Sequence, residues 1–173
     1  MSPSNEKLKL FIATHRTHHA SNLHYTLALA PMSENPSSAA KTTMWYQVLH
    51  DPMSGARYYQ QTSITCMRAS DTVARVLLGQ VDPVHQRALE QLMADPRHLE
   101  ASSSSHQWVR NVLKVISGSG VLRSSGVINA DAAVGVLKDL SKEVQRGARA
   151  SPQGGSPTTI VYPTHKYSFI PLP

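Results

Sequence analysis

The stretch Leu23–Ala30, with the sequence LHYTLALA, alternates between two kinds of side chain and decides the class of fold. Large apolar residues recur at every second position and would share one face of an extended chain, while small or polar residues would share the other. This period of two predicts a β-strand with its apolar face on a core. The opposite face carries His24 and Thr26 beside alanines, which leaves room for a pocket.

The segments on either side predict further strands of a mostly antiparallel sheet. Lys7–Thr14 precedes Leu23–Ala30 as a first strand. Thr43–His50 and Ala56–Thr65 are rich in aromatic and β-branched residues, and the Pro- and Gly-containing connection between them predicts a hairpin. Thr72–Val81 fits both a helix and a buried strand, and we predict a strand because valines flank a Gly near its end.

Two helix starts are predicted between residues 82 and 105. Asp82-Pro83 is typical of a helix start, because an Asp side chain accepts from free amides and Pro is tolerated at the first helical position. We expect this helix to reach about Ala94 and to stop before Asp95-Pro96. A second start lies in Ser102–Ser105, and apolar residues then recur at helical spacing from Trp108 until the glycines after Ile116.

A third helix is predicted from Ala130 to about Arg146, with Asn129 as its cap. Its inward positions are apolar, and its outer side carries four basic residues: Lys138, Lys142, Arg146 and Arg149. We interpret this stripe as a solvated helix face, since exposed charges at helical spacing are common.

Length and composition fit one globular domain over residues 1–173. The chain is 40% apolar and 16% charged, which indicates a fold held by a hydrophobic core. We expect an α+β fold in which two to three helices pack on a mostly antiparallel sheet, with flexible loops at 31–42 and 147–158. Thr158–Ile170 is predicted as a last extended segment.

Charge and cysteine content narrow the class of protein. Seventeen Lys and Arg against eleven Asp and Glu give a net charge of +6, but the arginines are scattered, which argues against a nucleic-acid interface. No apolar stretch has the length of a membrane span, and the start of the chain is too polar for a signal peptide. Cys66 is the sole cysteine, so we expect a soluble, cytoplasmic protein.

Three segments resemble known proteins: LHYTLALAP at 23–31, RVLLGQVD at 75–82 and HQWVRNVLKVISGSGVL at 106–122. They are similar to a family of small uncharacterised fungal proteins. The order of elements resembles the circularly permuted branch of the papain-like folds, which includes NlpC/P60 and lecithin:retinol acyltransferase-like proteins. In that branch a strand histidine precedes the nucleophilic cysteine. The resemblance implies a cysteine three positions before Trp108, where this chain has Ser105.

The serine changes the chemistry that the resemblance implies. A helix amino end lowers the pKa of a thiol and offers donors to an oxyanion, whereas a serine hydroxyl needs a well-aligned base during attack. The candidate catalytic residues are therefore Ser105, His24 as the base, and Gln47, Gln60 or His50 as the group that orients the imidazole. Two structural alternatives stay open: Ser105 as a helix cap, and His24 as a hydrogen-bonded structural histidine.

Aromatic and polar side chains near these positions are candidates for the wall of a substrate pocket. The predicted pocket residues are Tyr25, Thr26, Trp45, Tyr46, Tyr58, Gln60, His106 and Trp108. Packing within the hairpin is the alternative for Trp45, Tyr46 and Tyr58. We expect no metal site at His15, His18 and His19, which have no carboxylate or thiolate beside them, and no cofactor. Cys66 is interpreted as a small buried apolar residue.

An aromatic pocket without a thiol predicts non-covalent work on a small apolar molecule. By family analogy we expect an accessory enzyme of fungal secondary metabolism, a cofactor-independent cyclase or isomerase, for example a pericyclase such as a Diels-Alderase. Two alternatives stay open: a hydrolase or acyltransferase with Ser105 as nucleophile and His24 as base, and a binding module without catalysis.

Overall fold

The computed structural model describes residues 6–16, 23–33, 43–64, 72–123, 128–146 and 158–161. The strands in these ranges are β1 (Leu8–Arg16), β2 (Leu23–Pro31), β3 (Thr43–His50), β4 (Arg57–Ile64), β5 (Thr72–Val81), β6 (Leu122–Arg123) and β7 (Thr158–Val161). The helices are α1 (Gln86–Met93), α2 (Pro96–Glu100), α3 (Ser105–Ser119) and α4 (Ala130–Gln145), with a 3₁₀ turn at Pro83–His85 before α1. The α+β class and the strand at 72–81 are confirmed.

The strands form one curled, half-barrel sheet in the order β4-β3-β2-β1-β5-β6. Neighbours along this path are antiparallel, as predicted, and β1 and β2 pair along their whole length, from Leu8 with Pro31 to Arg16 with Leu23. The short strand β7 departs from the prediction of antiparallel pairing, because it runs parallel to β5. The sheet is therefore mixed at this edge.

Two expectations about the helices were wrong. Four α-helices are present in the described ranges instead of two to three, since a five-residue helix, α2, begins at Pro96. Asp82 was expected to cap the helix that follows it and does not, although that helix stops before Asp95 as predicted. The Asp95 side chain caps α2 by accepting from the amide of Arg97 at 2.9 Å. Asp82 makes no capping hydrogen bond, and its carboxylate pairs with Arg123 of β6 at 2.9 Å.

The helices pack against the sheet face that the large apolar residues of β2 predict. Leu27 and Leu29 are at most 2% exposed and belong to one core with Trp108 of α3 and Leu137 of α4. The other face carries a second, smaller core of Phe11, Ala13, Ala28, Ala30 and Trp45. Burial on both faces explains why β2 is apolar or small at nearly every position.

A buried hydrogen-bond chain holds α4 on the sheet. The hydroxyl groups of Ser141 and Thr14 lie 2.7 Å apart, and the Ser141 hydroxyl also donates to the Leu137 carbonyl oxygen at 2.7 Å. Both residues are fully buried, so these bonds fix the position of α4 along β1. They also determine which α4 side chains face the amino end of α3.

Several predictions fall on residues outside the described ranges. These are most of the predicted loops, at 34–42 and 147–157, the histidines His18 and His19, and Cys66. Of the predicted extended segment Thr158–Ile170, the first four residues form β7. None of the helices in the described part of the chain is long and apolar enough to cross a membrane.

Gly79 allows β6 to approach β5. A Cβ atom at this position would lie 2.4 Å from the carbonyl oxygen of Arg123, which is backbone and has little freedom to move. We expect Gly79→Ala to lower the free energy of unfolding by about 1–3 kcal/mol, the usual range for overpacking. Urea denaturation followed by circular dichroism measures this difference.

Gly135 is the matched control for this substitution. It lies within α4, and a Cβ atom there would have no heavy atom within 4 Å. We expect Gly135→Ala to raise the free energy of unfolding by about 0.5–1 kcal/mol, because alanine is the better helix former. Equal stability of the Gly79→Ala variant and the wild type would show that β6 does not pack as described.

Candidate functional site

A cleft of about 500 Å³ lies where the start of β2, the end of β3, the amino end of α3 and the outer face of α4 meet. Its lining residues are Leu23, His24, Tyr25, Val48, His50, Ser103, Ser104, Ser105, Lys138, Lys142 and Gln145. Four of the residues predicted for a site therefore share one cavity: His24, Tyr25, His50 and Ser105. Tyr25 and Ser105 are 80 positions apart in sequence.

Serines and a glutamine form the side-chain hydrogen bonds at the amino end of α3. Ser104 is the capping residue, and its hydroxyl accepts from the Gln107 amide at 3.2 Å. The amide and the hydroxyl of Ser103 both donate to Oε1 of Gln107, at 2.9 and 2.7 Å. The alternative that Ser105 is the helix cap is therefore wrong, and its hydroxyl is not used for capping.

Ser105 connects α3 to β2 instead. Its Oγ accepts a hydrogen bond of 3.2 Å from the backbone amide of Tyr25. The Tyr25 ring then packs edge-on against His106, with ring centres 5.0 Å apart. Burial, followed by the charge of Asp139, raises the pKa of Tyr25, so its phenol stays neutral. One wall of the cleft is thus fixed by a contact between the strand and the helix.

His24 is held by amide side chains of the neighbouring strands. Gln47 hydrogen-bonds the imidazole, and its Nε2 atom donates to Oε1 of Gln60 at 2.9 Å. Since the Gln47 nitrogen faces Gln60, its oxygen is left for the imidazole. Of the groups predicted to orient His24, Gln47 therefore lies beside the imidazole, Gln60 contacts Gln47, and neither glutamine lines the cleft.

One nitrogen of the His24 ring has no hydrogen-bond partner among the described residues. Its Nε2 atom is buried and has no hydrogen-bond partner in the described part of the chain. Burial lowers the pKa of His24, the hydrogen bond that the imidazole donates to Gln47 opposes this shift, and the charge of His50 adds to the lowering. The imidazole is therefore neutral near pH 7. Within the described residues it forms no hydrogen bond with Ser105.

Thr26 and Trp45, both predicted for the pocket wall, lie outside this cleft and surround His15. The Thr26 hydroxyl is 2.9 Å from His15 Nε2, the Thr72 hydroxyl is 3.1 Å from Nδ1, and the Trp45 ring centre is 4.6 Å from that of His15. Burial first, and then the charge of His24, lowers the pKa of His15 to about 3. His15 is thus a neutral structural histidine with a hydrogen-bond partner for each ring nitrogen.

Tyr46, Trp108 and Tyr58 also lie away from the cleft. Tyr46 and Trp108 are fully buried in the core, where the Tyr46 hydroxyl donates to Oε1 of Glu90 at 2.9 Å. Tyr58 is 42% exposed on β4, which ends the described sheet path. Of the aromatic residues predicted for the pocket wall, Tyr25 alone lines this cleft, and the other lining residues include serines, histidines and lysines.

Lys138 and Lys142 line the cleft although the sequence interpretation placed them on a solvated face. Periodicity correctly puts them on the outer side of α4, where both are exposed. It carries no information on which neighbouring element borders that side. The serine run before α3 and these lysines are separated by more than thirty residues, so only the tertiary structure brings them together.

Within the described ranges no three His, Cys, Asp or Glu side chains are grouped so that they could hold a metal ion. Comparison of the chain with protein-family models, with curated proteins and with solved structures gives no significant match. The geometry of the cleft is therefore the basis for any assignment of function.

Proposed function

We propose that the cleft is the site of a cofactor-independent enzyme that isomerises or cyclises a small molecule without a covalent intermediate. The observation that carries this proposal is His24, a residue of the cleft lining whose imidazole is neutral and whose buried Nε2 atom has no hydrogen-bond partner among the described residues. A buried polar atom without a partner is rare in native proteins, and a catalytic role is one of its recognised explanations. A neutral imidazole is also the form that accepts a proton.

The surroundings of Ser105 favour non-covalent chemistry. A serine nucleophile must pass its proton to an aligned base. The Ser105 hydroxyl accepts from the Tyr25 amide and, among the described residues, forms no hydrogen bond with His24. In the proposed site, Ser105 positions the Tyr25 backbone and His24 moves or holds the proton. Leu23 and Val48 supply apolar surface for the body of a substrate.

The wider setting of the proposal follows from the sequence resemblance. A strand histidine and the amino end of a helix meet at one cleft, which is the arrangement that a permuted papain-like fold implies, and this supports that refinement of the α+β class. We further propose a role in fungal secondary metabolism, including pericyclic reactions such as a Diels-Alder cyclisation, and a location in the cytoplasm. Fold analogy alone supports these points.

A hydrolase or acyltransferase is the second candidate, because Ser105 and His24 line the same cleft. In that case a ligand would have to displace the Tyr25 amide from Ser105 and align the hydroxyl with the imidazole. A fluorophosphonate probe, which reacts with activated serines, separates the two candidates. We expect no labelling of the wild type above the level of Ser105→Ala. Stoichiometric labelling that disappears in Ser105→Ala would contradict the non-covalent mechanism.

The reaction class can be measured by mass spectrometry. We expect the purified protein, incubated with a library of small unsaturated acids and ketones, to give a product of unchanged mass and altered retention time, as isomerisation and cyclisation require. Addition of one water to the mass would support the hydrolase instead. Ligands that raise the melting temperature while no library member is converted would indicate a binding module and contradict the proposal.

A further inference from the structure

Two lysines from one helix face the same cleft. Lys138 and Lys142 lie one turn apart on α4, and both line the cavity that contains His24. No Asp or Glu is among the residues lining this cavity. Lys138 forms no ion pair within the described ranges, and the Lys142 ammonium is 4.0 Å from Asp139 Oδ1, at the limit of an ion pair. The cleft is therefore positively charged.

The two lysine charges repel each other, and an anionic ligand would remove this repulsion. Like charges four residues apart on a helix destabilise it by about 0.2–0.5 kcal/mol. The charge of Lys138 also acts on His106 at the amino end of α3, where burial first, and then Arg110 and Lys138, lower the pKa of His106 against the opposing charge of Asp131. The amino end of α3, which borders the cleft through its serines, adds partial positive charge to that of the lysines.

We propose that Lys138 and Lys142 bind the anionic group, a carboxylate or a phosphate, of a small-molecule ligand whose remaining part reaches His24. This inference rests on the proposed function for the role of His24 and adds the substrate class to it. The substrate expected from the sequence was apolar, whereas the cleft pairs two cations with a short apolar surface at Leu23 and Val48. A small amphiphilic acid fits both features.

Inorganic phosphate and acetate are the probes for this site. Binding is measured from the lysine and backbone NMR shifts of the full chain during titration, with sodium chloride at matched ionic strength as reference. The test variant is Lys138→Gln/Lys142→Gln. The matched control is Lys114→Gln, since Lys114 is a similarly exposed helix lysine that lies 3.8 Å from Asp131 and outside the cleft lining.

We expect saturable shifts at the cleft with at least one of the two anions, and at least about tenfold weaker binding in the double variant. Lys114→Gln is expected to bind like the wild type. Saturation by phosphate alone or by acetate alone would identify the anionic group. The proposal is overturned if neither anion saturates beyond chloride, or if the double variant binds as tightly as Lys114→Gln.

His24→Gln separates this inference from the proposed function. Glutamine keeps a polar side chain at the position but cannot act as a base near pH 7, so we expect anion binding within about twofold of the wild type, together with lost conversion. Anion binding by a protein that converts no library member would leave this inference standing and contradict only the proposed function. Loss of anion binding in His24→Gln, with the native fold retained by circular dichroism, would contradict the assignment to the lysines.

Discussion

His24→Gln is expected to lower the turnover of the converted compound by about 10²–10⁴-fold, the usual contribution of a general acid or base. The His24 imidazole is neutral, and its Nε2 atom has no hydrogen-bond partner among the described residues. Glutamine can accept a hydrogen bond but cannot take up a proton. Turnover is measured by the mass-spectrometric assay, and KM is recorded separately. A loss confined to KM would show that His24 only binds the substrate.

His85→Gln is the matched control for this prediction. His85 is exposed on the 3₁₀ turn before α1 and does not line the cleft. We expect this variant to retain wild-type turnover. If both histidine variants lose the same fraction of activity, the effect does not arise in the cleft and the role assigned to His24 is wrong.

Acidification below pH 6.5 is expected to destabilise the protein through His15. The folded protein lowers the pKa of this histidine from 6.5 to about 3, because burial disfavours the charged ring. Between these two pH values the unfolded chain binds a proton that the folded chain does not. The contribution of His15 to the free energy of unfolding is therefore fully present above pH 6.5 and is lost as the pH falls. The slope from this group is at most about 1.4 kcal/mol per pH unit.

Urea denaturation at a series of pH values measures this slope. His24 and His106 shift in the same direction, so the contribution of His15 is isolated by His15→Gln, whose amide can still bond Thr26 and Thr72. We expect His15→Gln to have a shallower slope than the wild type, whatever its absolute stability. Identical slopes in the two proteins would contradict a buried, neutral His15.

The sheet was predictable because its strands carry their own periodicity. The alternation in LHYTLALA places Leu27 and Leu29 on the core side, and the structure buries both there. The cap of α4 at Asn129 was also predicted, since its side chain accepts from the Ala132 amide at 3.0 Å. Local patterns were sufficient wherever one residue type has one strong preference.

Local patterns failed where several residues satisfy the same rule. Ser102, Ser103, Ser104 and Ser105 are all good helix caps, and only the backbone shows that Ser104 is the cap. A buried aromatic residue likewise suits a core or a pocket, so the sequence alone does not separate the core position of Trp108 from a place in the cleft wall. The contribution of Lys138 and Lys142 depends on how α4 packs against α3, which is tertiary information.

The central claim is that His24 and the amino end of α3 border one cleft. The most direct test is the pKa of His24, measured by NMR, in Ser105→Asp and in Ser117→Asp, which adds the same charge near the other end of α3. We predict a pKa below 6.5 in the wild type, a rise of at least about half a unit in Ser105→Asp, and no change in Ser117→Asp. An unchanged His24 pKa in Ser105→Asp would contradict the claim.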